Sequence, residues 1–232
     1  GPYRLRNDMR FKRLCSCGSV AAECSIWGEY LEWLRLNDDL SMDQKVLRLL
    51  DSDTRSGGDF LYVDSYQDDL SMLRLPVDLF DLRVIHLVRD IRSWLPRRVR
   101  SARSEGKHFS TFRNAFRWLY VNQKFSNVFR QSGVPVLRVG YEELALRPEF
   151  TLRLICQWLD LDYTQQMLSP GLYSKSHILL GNRVRQQSDR NQQIAYDASW
   201  LRDGGFGFSA FLFSLPFVTQ MHRDLVYSND VL

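Results

Sequence analysis

The most constraining feature of this chain is an unbroken apolar run, Arg83-Val-Ile-His-Leu-Val88, that ends in Arg89-Asp90 and passes at once into a segment of helical spacing. A strand that is apolar on both sides of the pleat belongs to a parallel sheet with both faces covered. The pattern recurs. Gly133 closes a long aromatic-rich helical stretch from Thr111, Val134-Pro-Val-Leu-Arg-Val139 is a further strand, and a helix opens on Pro148 and runs to Leu159. In that helix Phe150, Leu152, Ile155 and Leu159 are expected to face inward. Phe60-Leu-Tyr-Val-Asp64 reads as an earlier buried strand after the Gly57-Gly58 break. The fold class that follows is α/β, a parallel sheet with helices on both faces. Ligands of such sheets bind beyond the carboxyl ends of the strands, where Asp64, Arg89 and Tyr141 would stand.

Ahead of this core, Trp27, Tyr30, Leu31 and Leu34 fall on one face of a helix covering about 25–36, and Ser41 with Gln44 forms a capping box for a second helix. The 232 residues suit one domain, with an α/β core over 15–164 and a nucleotide loop with a C-terminal lid segment over 165–232. A hydrophobic content of 44% fills a core, and a net charge of +4 leaves anionic nucleotides open as ligands. No nucleic-acid-binding module is recognisable, and the longest apolar run, Phe206 to Val218, is too short to span a membrane. The chain shows no secretory signal, which favours a reducing, cytoplasmic compartment and free cysteines.

Three constellations carry chemistry. Arg89 at a strand end offers an anion its guanidinium fork beside a helix start; the plainer alternative is an Arg–Asp pair tying strand to helix. In Ser176-His177-Ile-Leu-Leu-Gly181-Asn182-Arg183-Val-Arg185, Gly181 permits close backbone approach, Asn182 donates and accepts, and Arg183 and Arg185 share one side of an extended loop. Tyr141, just past a strand, offers a flat ring to a nucleotide base or packs in the core. Cys15, Cys17 and Cys24 have spacing that would suit zinc with a fourth donor, but no histidine stands near in sequence, so reduced structural cysteines are the expectation. His86 is expected to be buried structure and His222 to lie at the surface or on a helix face.

Taken together these segments resemble the PAPS-dependent sulfotransferases. Arg89-Asp90-Ile91-Arg92 resembles the family's Arg-Asp-Pro-Arg 3′-phosphate motif. Tyr141-Glu-Glu-Leu144 with Pro148-Glu149 and Leu159-Asp-Leu161 is similar to its Tyr-Glu-Asp-Leu segment and following helix. His177, Gly181, Asn182 and Arg185 fit a loop found in many bacterial members. Cys15-Ser-Cys-Gly18, Cys24 and Trp27 resemble an insertion of that group, and Tyr196-Asp197 with Trp200 its Asp-x-x-Trp after the loop. The resemblance implies a P-loop-NTPase-like sulfotransferase fold and transfer of a sulfuryl group from PAPS to a hydroxyl or amine of a small-molecule acceptor, leaving adenosine 3′,5′-bisphosphate. It implies nucleotide contacts at Arg89, Ser93, Arg97, Tyr141, Gly181, Asn182, Arg183 and Arg185. His177 is the candidate base, with His108 behind it.

The chain departs from the pattern in three places. No Gly- and Ser/Thr-rich loop for the 5′-phosphosulfate precedes Arg13, so the N-terminal strand, loop and helix are expected outside the chain, supplied by a partner chain, or replaced by a fold rearranged around their loss. Arg97, after the unusual Pro96, takes the place of a phosphate-binding Ser, with Ser93 nearer the helix start but out of register, and Gln67 takes the place of a Lys. These departures favour the competing reading of a non-catalytic binding or regulatory module on the same fold.

Overall fold

The computed structural model describes residues 12–54, 61–63, 70, 73, 75–76, 78–104, 106, 111–173, 177–179, 194–202 and 206–229. The chain divides into two compact units, one of Gly1–Asp81 with Gly171–Gln192, the other of Leu82–Pro170 with Gln193–Leu232.

In the first unit, α1 (Trp27–Leu36) and α2 (Met42–Thr54) pack through Tyr30, Leu31, Leu34, Val46 and Leu49, the apolar stripe expected from the spacing. Gln44 Oε1 accepts from the Ser41 N–H at 3.1 Å, the reaching-back half of the expected capping box. The Tyr30 hydroxyl donates to the Lys45 carbonyl at 3.0 Å, which satisfies a polar atom inside this core. The expected strand at 60–64 is not formed in its described part. Residues 61–63 pair with no other strand and Val63 is 74% exposed. A strand exists by its ladder, and none of the described residues offers one here. Phe60 and Asp64 lie outside the described residues.

The second unit holds the sheet. β1 (Val84–Val88) and β2 (Val136–Gly140) pair in parallel, from Val84 opposite Val136 to Val88 opposite Gly140. β1 leads into α3 (Ile91–Ser104), which is followed by α4 (Thr111–Ser132). β2 leads into α5 (Tyr141–Leu146) and α6 (Pro148–Leu159). α7 (Pro170–Tyr173) falls almost wholly in the first unit, and the second adds α8 (Phe206–Ser214) and α9 (Pro216–Leu225). This is the parallel sheet flanked by helices that the sequence predicts. The core joins Val88, Ile91, Leu95, Trp118, Val218 and Leu225. The aromatic segment from Phe206 is therefore helical, with Phe208 and Leu212 packed on that core and Phe211 exposed.

Two expectations fail by phase. In α6 the fully buried residues are Thr151 and Cys156, Leu152, Ile155 and Leu159 are half-buried, and Phe150 points out at 56% exposure. The Thr151 hydroxyl meets the carbonyls of Glu143 and Arg147, so the helix seats its polar residue inward and turns Phe150 away. His222 is 1% exposed rather than superficial, because α9 lays its ring on Trp118 at 5.1 Å between centroids.

Burial holds both His222 and His86 down at about 4. Arg92 adds to the effect on His222 and Asp90 opposes it; Arg138 adds to that on His86, against a hydrogen bond with Asn122. In the unfolded chain these imidazoles titrate near 6.5, so between 6.5 and 4 the unfolded state binds more protons and stability falls as pH drops. The expected result is a lower urea midpoint at pH 4.5 than at 7.5, with about 2–3 kcal/mol from His86 alone. In His86→Phe the difference should shrink; an unchanged midpoint in the wild-type chain would refute the assignment.

Candidate anion site

The end of β1 is fastened before any side chain reaches out. Trp118 Nε1 donates to the Arg89 carbonyl at 3.0 Å, and the Asp90 N–H donates to Glu142 Oε2 at 3.0 Å. Asp90 then caps α3 by accepting from the Arg92 N–H at 2.7 Å. The Arg–Asp pair foreseen at this junction does exist, but it is Arg92 that forks onto Asp90, joined by the Tyr227 hydroxyl at 2.6 Å. Burial works against the Asp90 carboxylate. The Arg92 guanidinium, His222 and Tyr227 outweigh burial and hold the carboxyl below its usual range. Capping by Asp90 also engages an amide that a helix start would otherwise present to a ligand.

Arg89 is thereby left free of its sequence neighbour. Its Nε donates to Ser93 Oγ at 2.8 Å, and its guanidinium lies over the Tyr141 ring, 4.4 Å from the centroid. Ser93, fully buried, donates to Glu142 Oε1 at 2.8 Å. Burial pushes the Glu142 carboxyl above its ordinary value, against the Asp90 amide and the Ser93 hydroxyl. Arg89 Nη2 is buried with no hydrogen-bond acceptor. A guanidinium N–H in that state is unusual, since buried donors are paired.

The nearest charge to Nη2 is the Asp197 carboxylate, at 3.8 Å. Arg97 Nη1 reaches the same Asp197 oxygen at 3.2 Å, and Arg100 donates to Ser199 at 3.3 Å. Ser93, Arg97 and Arg100 share one helix face by their spacing. The Ser199 hydroxyl, then the Ser199 N–H, Arg89 and Arg97, hold Asp197 below the usual carboxylate range despite burial. An internal carboxylate thus sits between two arginines, where an oxyanion of a ligand has the right charge to sit. Tyr196, the neighbour of Asp197, tilts its ring toward Tyr141 at 6.4 Å and accepts from Trp200 Nε1 at 2.9 Å.

The structure therefore brings together Arg89, Ser93, Arg97 and Tyr141 of the expected set. His108, Gly181, Asn182, Arg183 and Arg185 lie outside the described residues. His177 belongs to the first unit, where its Nδ1 lies 3.1 Å from Cys24 Sγ. Sequence reasoning missed Arg100 and the parts played by Glu142 and Asp197. The spacing of Ser93, Arg97 and Arg100 was a usable signal for the first; the others depend on contacts between distant segments. Trp118 and Phe125 of α4 pack against His222 and His86.

Residues 79–165 match the model of the sulfotransferase family, consistent with a sulfotransferase domain. No curated protein and no solved structure matches the chain.

Proposed function

We propose that this sulfotransferase-family segment, residues 79–165, serves sulfuryl transfer from PAPS to a hydroxyl or amine of a small-molecule acceptor, and that Arg89 and Arg97 hold the nucleotide's 3′-phosphate. The observation that carries this reading is the buried Arg89 Nη2 without an acceptor, on an arginine positioned by Ser93 and stacked on Tyr141. A phosphate oxygen supplies the missing acceptor, and the guanidinium fork suits it. The 3′-phosphate is remote from the reacting sulfur. Its binding energy acts by fixing the donor in line with the acceptor rather than by touching the chemistry.

For the phosphate to enter, the Asp197 carboxylate must give way. Asp197→Asn removes the competing charge while keeping a side chain of the same size. Calorimetry with adenosine 3′,5′-bisphosphate should show affinity raised by about 3- to 10-fold, of order 1 kcal/mol for a half-exposed pair. Weaker binding in the variant would argue that Asp197 helps hold the nucleotide.

The same carboxylate favours a second reading, a non-catalytic module whose anion seat is closed by its own acid. Transfer of label from PAPS to any acceptor by the full chain rules that out. Failure of the nucleotide to bind either the wild-type chain or Asp197→Asn would remove both readings of the seat.

A further inference from the structure

Three cysteines of the first unit meet the histidine that the sequence places far from them. Leu14 and Val20 form an antiparallel bridge, and the turn between them is closed by Cys15 N–H to the Ser19 carbonyl and Gly18 N–H to the Cys15 carbonyl, both 2.9 Å. Gly18 takes φ +92°, a backbone position open to glycine. The turn sets Cys15 and Cys17 on one side. The short helix Ala21–Glu23 then delivers Cys24.

His177 is fixed against this turn by its backbone and not only by its ring. Trp27 Nε1 donates to the His177 carbonyl at 2.8 Å. The Ser16 N–H donates to the Ile178 carbonyl at 3.1 Å, and the Ile178 N–H to Ser16 Oγ at 2.8 Å. The result is four ligand atoms, three Sγ and one Nδ1, all within 4.8 Å of one another.

We propose that Cys15, Cys17, Cys24 and His177 bind one zinc(II) ion as a structural centre of three thiolates and one imidazole. Zinc bonds of about 2.3 Å to sulfur and 2.0–2.1 Å to nitrogen give a tetrahedron with edges of about 3.8 Å between sulfurs and 3.5 Å from sulfur to nitrogen. Four of the six edges measure 3.7 Å for Cys15–Cys24, 3.8 Å for Cys17–Cys24, and 3.1 and 3.8 Å from His177 Nδ1 to Cys24 and Cys15. The cage therefore has the size of a single tetrahedral ion. A disulfide needs its sulfurs about 2.05 Å apart and would leave a thiol and the imidazole with nothing to bind.

Soft thiolates with one imidazole select zinc over magnesium or calcium. Four protein donors leave no open position, which marks the centre as structural rather than catalytic. Zinc takes the three sulfurs as thiolates, so each thiol that still carries its proton releases it to solvent on binding, while His177 binds through a nitrogen that carries no proton. The ion would join residues 15–24 to residue 177. It also gives His177 a different task from the base that its motif suggests.

The test is the metal content of the full chain, purified in reductant without chelator, and then the cobalt(II) spectrum of the chelator-stripped protein. One zinc per chain is expected, and cobalt should give intense visible bands of tetrahedral geometry with sulfur-to-metal charge transfer. Cys17→Ser, at an exposed position, and His177→Ala should each weaken zinc binding by about 100-fold or more, while Cys156→Ser leaves it unchanged. If a variant fails to fold, the wild-type cobalt bands decide, because they report thiolate coordination directly. Absence of both zinc and cobalt–thiolate bands, zinc retained undiminished by both variants, or a disulfide within the trio would overturn the proposal.

Discussion

Arg89→Ala is expected to lower affinity for adenosine 3′,5′-bisphosphate by about 100-fold or more, the scale for losing a charge-assisted pair in a partly buried site. The size follows from how little Arg89 must change to bind. Its side chain is only 14% exposed, Ser93 already fixes Nε, and Tyr141 already carries the guanidinium face. Little side-chain entropy remains to be lost, so most of the interaction appears as affinity. Arg89→Lys should recover little, because an ammonium can neither donate from a planar fork nor stack in the same way. Thermal melting of each variant separates lost binding from lost folding. Calorimetry showing wild-type affinity in a folded Arg89→Ala protein would remove this arginine from the nucleotide site, and with it the observation on which the sulfotransferase reading rests.

Gly140→Ala should cost about 3 kcal/mol or more, read as a lowered urea midpoint. A Cβ built there would lie 1.8 Å from the Val226 carbonyl oxygen and 2.8 Å from its carbon. Both atoms are backbone, and the N–H of the same peptide, that of Tyr227, donates to the His222 carbonyl at 3.0 Å, so the obstacle has nowhere to turn. Gly133→Ala is the control. Gly133 has φ +68° but no atom within 4 Å of the added Cβ, so it should lose only about 1 kcal/mol, the backbone penalty alone. Equal losses in the two variants would mean that the contact with Val226 does not constrain the turn.

The sequence made legible what depends on neighbours along the chain. The strands at 84–88 and 136–140 follow from unbroken apolar runs, and α1 from a stripe every residue of which is buried. Arg89, Ser93 and Tyr141 fall at strand ends and helix starts, so their meeting could be anticipated. Asp197 could not be matched to Arg97, nor His177 to Cys24, because nothing local to either residue names its partner. The run at 60–64 misled for a related reason. Its composition is that of a strand, yet a strand requires a ladder, and that lies elsewhere in the chain. His222 misled because its α9 neighbours Arg223 and Asp224 are exposed, while the helix face toward Trp118 is not.

One carboxylate gathers two parts of the second unit. Glu143, fully buried, accepts the Gly140 N–H on Oε2 at 2.9 Å and the Asn229 N–H on Oε1 at 2.9 Å. A buried acid with both oxygens engaged cannot release one amide and keep its balance with the other. The β2 end and the turn after α9 therefore open to solvent as one cooperative element, not as two fraying pieces. Tyr141, the ring beneath Arg89, follows Gly140 directly, so the lifetime of the anion seat is tied to the opening rate of a turn distant in sequence but bonded beside it.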